Sequence, residues 1–319
     1  MNTRRLQNVI SKMVDNMDKD DNDKTITLDV IMSGGAFNAI YLVGCLYFLR
    51  EMENKNKIII HRMSSCSASS LVAFLYLINQ LELFQTKIYE IVVQSFKTNK
   101  TFIFTETVLT SIFEIIETAI HESGLTELDI IRLVNYKLYI TYFDIKQCKR
   151  IVKKKYKSLK NIFETIKKSG YIPFITMNNV LYRNRYMDGW QPYIFKSRNT
   201  ENRQFFIDLL GKDKIKDSFI LKNNNSTYKI INGVLDVYCF FYNKGKCETS
   251  MCSFINNQSI FSHIKFLIIY YFSYVLCFIL YFHIFFFNFP SSQLLNIVFV
   301  KMMITVVKNA FHFLMGHLH

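Results

Sequence analysis

Between residues 27 and 255, short apolar runs alternate with longer amphipathic ones: LDVIM, then AIYLVGCLYFLREM, then KIIIHRM, then LVAFLYLI. Short continuous apolar runs suit buried strands and the longer ones suit helices, so the rhythm reads as β-α-β-α. KLYITYF and VLYRNRYMD read as further strands, with SLKNIFETIKKSG as a helix between them. The fold class this predicts is α/β, a mostly parallel central sheet covered by helices.

Three segments flank this region. Residues 1–26 read as a polar N-terminal segment, without the apolar stretch of a secretory signal, so nothing directs the N-terminus out of the cytosol. Asp18, Asp20, Asn22 and Asp29 echo the ligand spacing of a calcium loop, but Asp23 stands where the sharp-turn glycine belongs. A solvated acidic linker is the reading, and no metal is expected. Residues 266–289, FLIIYYFSYVLCFILYFHIFFFNF, contain no Asp, Glu, Lys or Arg. A helix crossing a bilayer core needs roughly 20 apolar residues, so this segment is expected to span a membrane. Residues 291–319 carry Lys301, Thr305, Lys308 and His312 at helical spacing on one face. That stripe suits an amphipathic helix lying in the membrane interface, with a second span as the alternative. The basic excess before residue 266 places the domain over 27–258 on the cytosolic side.

A formal charge of +14 points to polyanionic partners: nucleic acid, an anionic membrane face or a phosphorylated small molecule. No nucleic-acid recognition motif accompanies the charge, so nucleic acid is not expected as a partner. KQCKRIVKKKYKSLK, residues 146–160, concentrates the cations. Lys153, Lys154, Lys155 and Lys157 are candidate contacts to an anionic leaflet, and a solvated helix face accounts for the run equally well. The seven scattered cysteines have no C-x-x-C spacing, which suggests neither a disulfide framework nor a zinc site.

Three short elements carry the chemistry. Gly34 and Gly35 follow the strand LDVIM and open a helix, a placement that leaves backbone N–H groups aimed outward to bind an anion. A phosphate cradle and an oxyanion hole both fit, and no complete nucleotide-binding glycine motif is present. In KIIIHRMSSCSASSLVAFLYL a strand ends near Met63 and an apolar helix begins near Ser67, with small residues on both sides. This is the layout of a nucleophile elbow, and also that of a serine that merely caps a helix. YMDGW, residues 186–190, is an Asp-Gly at the end of a strand. The histidines after Asp188 lie only at 263 and beyond, beside or past the apolar segment, so a carboxylate acting directly on the serine is favoured over a triad.

In this order and spacing the three elements resemble the patatin-like phospholipases over about residues 27–255. SGGAFNAIYLVGCL is similar to the family's oxyanion segment, SSCSASSL to its G-x-S-x-G elbow and MDGW to its D-G-[GA] motif. INGVLDVYCFF is similar to a continuation in large-DNA-virus members. The resemblance implies a three-layer α/β/α domain, Ser67 as nucleophile, Asp188 as base and the amides of Gly34, Gly35 and Ala36 as oxyanion donors. It also implies a phospholipid substrate, no cofactor, and hydrolysis through an acyl-enzyme. Ala36 and Ala39 replace glycines of the first motif, and Ser65 and Ser69 replace both elbow glycines. Those departures keep a second expectation open, a catalytically inactive lipid-binding or scaffold domain.

Overall fold

A computed structural model describes residues 3–17, 25–99, 106–147, 149–173, 181–195, 202–211, 226–245, 249 and 251–255. It also describes 268, 269, 271–273, 275, 276, 279 and 280. In chain order the elements are α1 (Thr3–Asp15), β1 (Ile26–Met32), α2 (Ala39–Asn54), β2 (Ile58–Cys66), α3 (Ala68–Leu77) and α4 (Leu81–Leu83). They continue with α5 (Tyr89–Asn99), α6 (Glu106–Glu122), α7 (Glu127–Val134), β3 (Leu138–Asp144), β4 (Lys149–Lys153) and α8 (Leu159–Ser169). β5 (Tyr186–Asp188), β6 (Arg203–Ile207), α9 (Ser226–Tyr242) and β7 (Cys252–Phe254) complete the set.

The strands form one mixed, mostly parallel sheet in the order β4-β3-β2-β1-β6-β7, with β5 also on β3. β1, β2, β3 and β6 run parallel, while β4, β5 and β7 pair antiparallel with their neighbours. All seven residues of β3 are buried, as a strand covered on both faces requires. Every residue of α2 from Ala39 to Leu49 is buried too. A helix that is apolar all round must be enclosed. Here Gly44 and Gly233 let α2 and α9 cross with their backbones in contact: a Cβ on Gly44 would stand 2.0 Å from the Ile230 carbonyl oxygen.

The pairing of β3 decides where the chemistry sits. β2 occupies one edge as far as Cys66, opposite Thr141. β5 takes over from there, with Asp188 opposite Tyr142. Strand end therefore faces strand end: the residue after Cys66 and the last residue of β5 meet although about 120 positions separate them in sequence.

Four expectations are corrected. The polar N-terminal segment contains α1, whose Leu6, Ile10 and Val14 recur every four residues and pack into the main core. β2 runs through Ser64, Ser65 and Cys66 instead of ending near Met63, because those residues pair with both β1 and β3. VLYRNRYMD supplies only the three strand residues of β5, after a turn in which Arg183 and Asn184 both have positive φ. The basic run is not a helix face but the edge strand β4 and the turn after it.

Asp18, Asp20 and Asn22 lie outside the described residues, while Asp29 is buried in β1 and ion-paired with Arg62. Residues 291–319 and most of the expected span also lie outside the described residues. Among those described, no helix is long and apolar enough to cross a membrane. Helical residues between 268 and 280 do pack on the domain: Leu276 and Leu280 join Phe143, Ile145, Leu181 and Met187 in one apolar cluster.

Candidate active site

Ser67 stands between β2 and α3 at φ 57° and ψ −139°, a conformation unfavourable for a residue with a side chain. Such backbone costs about 1–3 kcal/mol and persists only where its surroundings impose it. Its side chain makes no capping hydrogen bond to α3, which answers the helix-cap alternative. The hydroxyl is instead hydrogen-bonded to the Asp188 carboxylate. The Ser67 N–H donates to Ser169 Oγ at 2.9 Å, and that hydroxyl donates to the Thr141 carbonyl at 2.7 Å. α8, at its last residue, thus ties the elbow to β3.

The serines standing for glycines are part of the turn. Ser69 Oγ donates to the Cys66 carbonyl at 2.6 Å and accepts from the Cys66 N–H at 3.2 Å. A side chain closes the elbow by two bonds where a glycine would leave it to the backbone. Ser65 is fully buried, with Oγ 3.5 Å from the Tyr139 carbonyl.

Asp188 is fully buried, and burial away from water pushes its carboxyl up to about 7. The Ser67 hydroxyl and the Trp190 N–H oppose that rise, the latter donating to Oδ1 at 2.7 Å. A carboxylate poised there can take a proton near neutral pH, which an ordinary aspartate does poorly. The strand beyond it is held by Arg150, whose Nη2 donates to the carbonyls of Gln191 at 2.5 Å and Pro192 at 2.7 Å. Cys66, although adjacent, is fully buried, and burial together with the Asp188 charge raises its thiol well above the usual range. It is kept as the unreactive thiol. Of the histidines, only His61 and His121 lie among the described residues; His61 is bonded to Asp29 and His121 is exposed on α6.

The turn after β1 lies against the elbow. A Cβ on Gly34 would come within 2.9 Å of the Ser67 Cβ, so only glycine admits the nucleophile at this distance. The three expected oxyanion residues separate here. The Gly34 N–H is bonded to the Cys66 thiol, whereas no hydrogen bond engages the N–H of Gly35 or Ala36 among the described residues. Ala36 has φ 42° and begins the 3₁₀ turn leading into α2. Ser33 Oγ donates to Asp208 at 3.2 Å and Asn38 Nδ2 to the Leu209 carbonyl at 3.0 Å, fixing the turn against residues 208–209.

An apolar cavity of about 150 Å³ opens beside Ser67, walled by Ala36, Leu71, Ile112, Phe113, Tyr171 and Tyr182 among others. Its volume matches cavities that hold a six-carbon ring, so it takes a hydrocarbon segment of about that size. The lysine run is elsewhere. Lys153 ends β4 opposite Ile140, and Lys154 and Lys155 continue toward Tyr136 at the far end of the sheet, with their ammonium groups over its ring. Lys157 follows in the exposed turn before α8.

Ser169 and Arg150 were not singled out as site residues in the sequence. For Ser169 the one signal was its place in a small-residue turn ending in Pro173; for Arg150 there was none beyond its position in the basic run. No family model matches the chain, and no curated protein matches it.

Proposed function

We propose that the chain is a serine-dependent lipid acyl hydrolase with a patatin-like three-layer architecture, acting on phospholipid esters. The observation that carries this reading is the strained Ser67 hydroxyl bonded to a buried carboxylate held near 7, at the mouth of an apolar cavity. Asp188 takes the Ser67 proton, and the serine oxygen attacks the ester carbonyl. The Gly35 and Ala36 amides, at the start of the turn into α2, are placed to bond the developing oxyanion. Asp188 returns the proton to the leaving alcohol. Water, activated by the same carboxylate, then frees the fatty acid and regenerates Ser67. No residue in this scheme calls for a metal or cofactor. Residues 266–289 attach the enzyme to a membrane, with the catalytic domain on the cytosolic side.

The test is hydrolysis of labelled phospholipid and of a soluble nitrophenyl ester by the wild type, Ser67→Ala and Asp188→Asn, with fluorophosphonate labelling in parallel. Removing a nucleophile or its base costs on the order of 10⁴-fold or more. Equal labelling of Ser67→Ala would overturn the assignment. Lipid binding by the wild type without turnover or labelling would establish the scaffold reading instead.

A further inference from the structure

The helical residues between 268 and 280 have two apolar sides, and only one is covered. Ser273, Leu276 and Leu280 are buried against the domain, with Phe272 and Ile279 partly so. Ile268, Tyr271 and Val275 are 51%, 65% and 55% exposed. On a helical wheel the exposed three fall within about 60° of one another and point away from the buried three. The covered side lies at the catalytic base: Met187 precedes Asp188, and Trp190, whose N–H bonds Asp188, packs on the same cluster. Leu181, in that cluster, precedes Tyr182, which walls the cavity.

Beside this helix stands a group of cations. Lys168 lies 4.1 Å above the Tyr186 ring and 5.5 Å from that of Tyr142, without an ion-pair partner among the described residues. Lys153, Arg183 and Arg185 all repel it, and together with burial they lower its pKa despite the pull of Glu164. Glu164 pairs with Arg183 and Asp144 with Arg185, so four cations face two carboxylates. An uncovered apolar helix face bordered by unbalanced positive charge is complementary to a bilayer surface carrying anionic headgroups.

We propose that the outward face of residues 268–280, rimmed by Lys168, Arg183 and Arg185, is a docking surface for an anionic lipid bilayer, and that it holds the mouth of the Ser67 cavity at the membrane. The inference rests on the lipid hydrolase reading for what enters the cavity, but not for the docking itself. The uncharged run 266–289 favours lipid as the occupant over a soluble partner, which would have to meet it with an equally long apolar face. The membrane-contacting cations are then those beside Tyr186, and not the lysines beside Tyr136.

The experiment is co-sedimentation of the full chain with phosphatidylcholine vesicles and with vesicles of equal parts phosphatidylcholine and phosphatidylserine. Quenching of Trp190, the single tryptophan, by brominated lipid is read alongside. Tyr271→Asp with Val275→Asp is expected to lower vesicle binding at least tenfold on both compositions. Lys168→Gln and Arg183→Gln are each expected to lower it about fivefold, on the anionic vesicles only. Lys154→Gln with Lys155→Gln is the control and is expected to leave binding as it is. All these positions are half-buried or exposed, and thermal melts confirm that each variant is folded.

Unaltered binding of the Tyr271/Val275 variant, loss confined to the Lys154/Lys155 variant, or carbonate-resistant insertion of every variant would overturn the proposal. So would a dimer that the Asp substitutions break, with no vesicle binding by the wild type, which would assign the face to a second copy. Nitrophenyl ester hydrolysis reads the Ser67 site separately, so a failed hydrolase reading and a failed docking surface give different results.

Discussion

Ala36 and Ser67 stand at φ 42° and 57° in the turns that follow β1 and β2, neighbouring parallel strands, and neither is glycine. The two turns hold their strain differently. Around Ser67 the bonds are side chain to backbone, from Ser69 within the turn and from Ser169 across 102 positions. Around Ala36 they come from residues 208–209, through Ser33 and Asn38, and the N–H groups of Gly35 and Ala36 are left unengaged. The elbow is locked so that its hydroxyl has one place to go. The glycine turn is locked from behind, so that its front remains available to an incoming oxygen. The lesson is that small polar side chains can do in one turn what glycine does in the other, provided each finds a partner.

The largest expected effect tests the elbow's partner. In the unfolded chain the Asp188 carboxyl titrates near 3.8, and in the folded protein near 7. Between those values the folded state holds a proton that the unfolded state has lost. Stability therefore falls as pH rises through that window and is level above it, by roughly 4 kcal/mol in all. Asp188→Asn removes this dependence: its melting temperature should exceed the wild type's at pH 8 and converge with it near pH 4. A wild-type melting curve flat between pH 4 and 7 would show that the carboxyl is not held up by burial. The same ionisation sets activity, so kcat/KM should climb with pH to a plateau above about 7.

Next comes the contact between the turns. Gly34→Ala puts a methyl where Ser67 already is, and displacing a nucleophile by about 1 Å costs on the order of a hundredfold in kcat. Wild-type turnover in that variant would mean that the turns do not constrain one another. Ser169→Ala leaves the Ser67 N–H without its acceptor, which costs about 1–3 kcal/mol in urea denaturation. The equivalent loss should not follow from Ser158→Ala, which removes only the exposed cap of α8 and costs about 1 kcal/mol. The smallest effect belongs to Ala36→Gly. It relieves a positive φ at some cost in unfolded-chain entropy, so a net gain under about 1 kcal/mol is expected, with turnover preserved. A destabilised Ala36→Gly would show that its Cβ, which faces the cavity, packs more than it strains.

The motif residues were legible because turn chemistry is local: a strand, a few small residues and a helix specify an elbow within a dozen positions. The strands β1 and β3 and helix α8 were legible for the same reason, each being one uninterrupted pattern. What escaped the sequence depends on distant partners. The stripe of α1 is diluted by Arg4, Arg5 and Lys12 and looks polar until α2 is there to cover it. β4 is five residues rich in lysine and arginine, tolerable as a strand only because it is an edge. The diversion of the Gly34 amide to Cys66, and the bond from Ser67 to Ser169, belong to the three-dimensional arrangement alone.

The brace behind the glycine turn has a consequence for synthesis. Its two halves, Ser33 with Asn38 and Asp208 with Leu209, are 171 to 175 positions apart. At about 5–20 residues per second, roughly ten to thirty seconds pass between their emergence from the ribosome. Throughout that interval the nascent chain carries its serine nucleophile, and for the later part its aspartate, without the support that fixes the oxyanion donors. An enzyme able to cut the membranes of the cell that makes it is thereby kept unfinished until most of it has been translated.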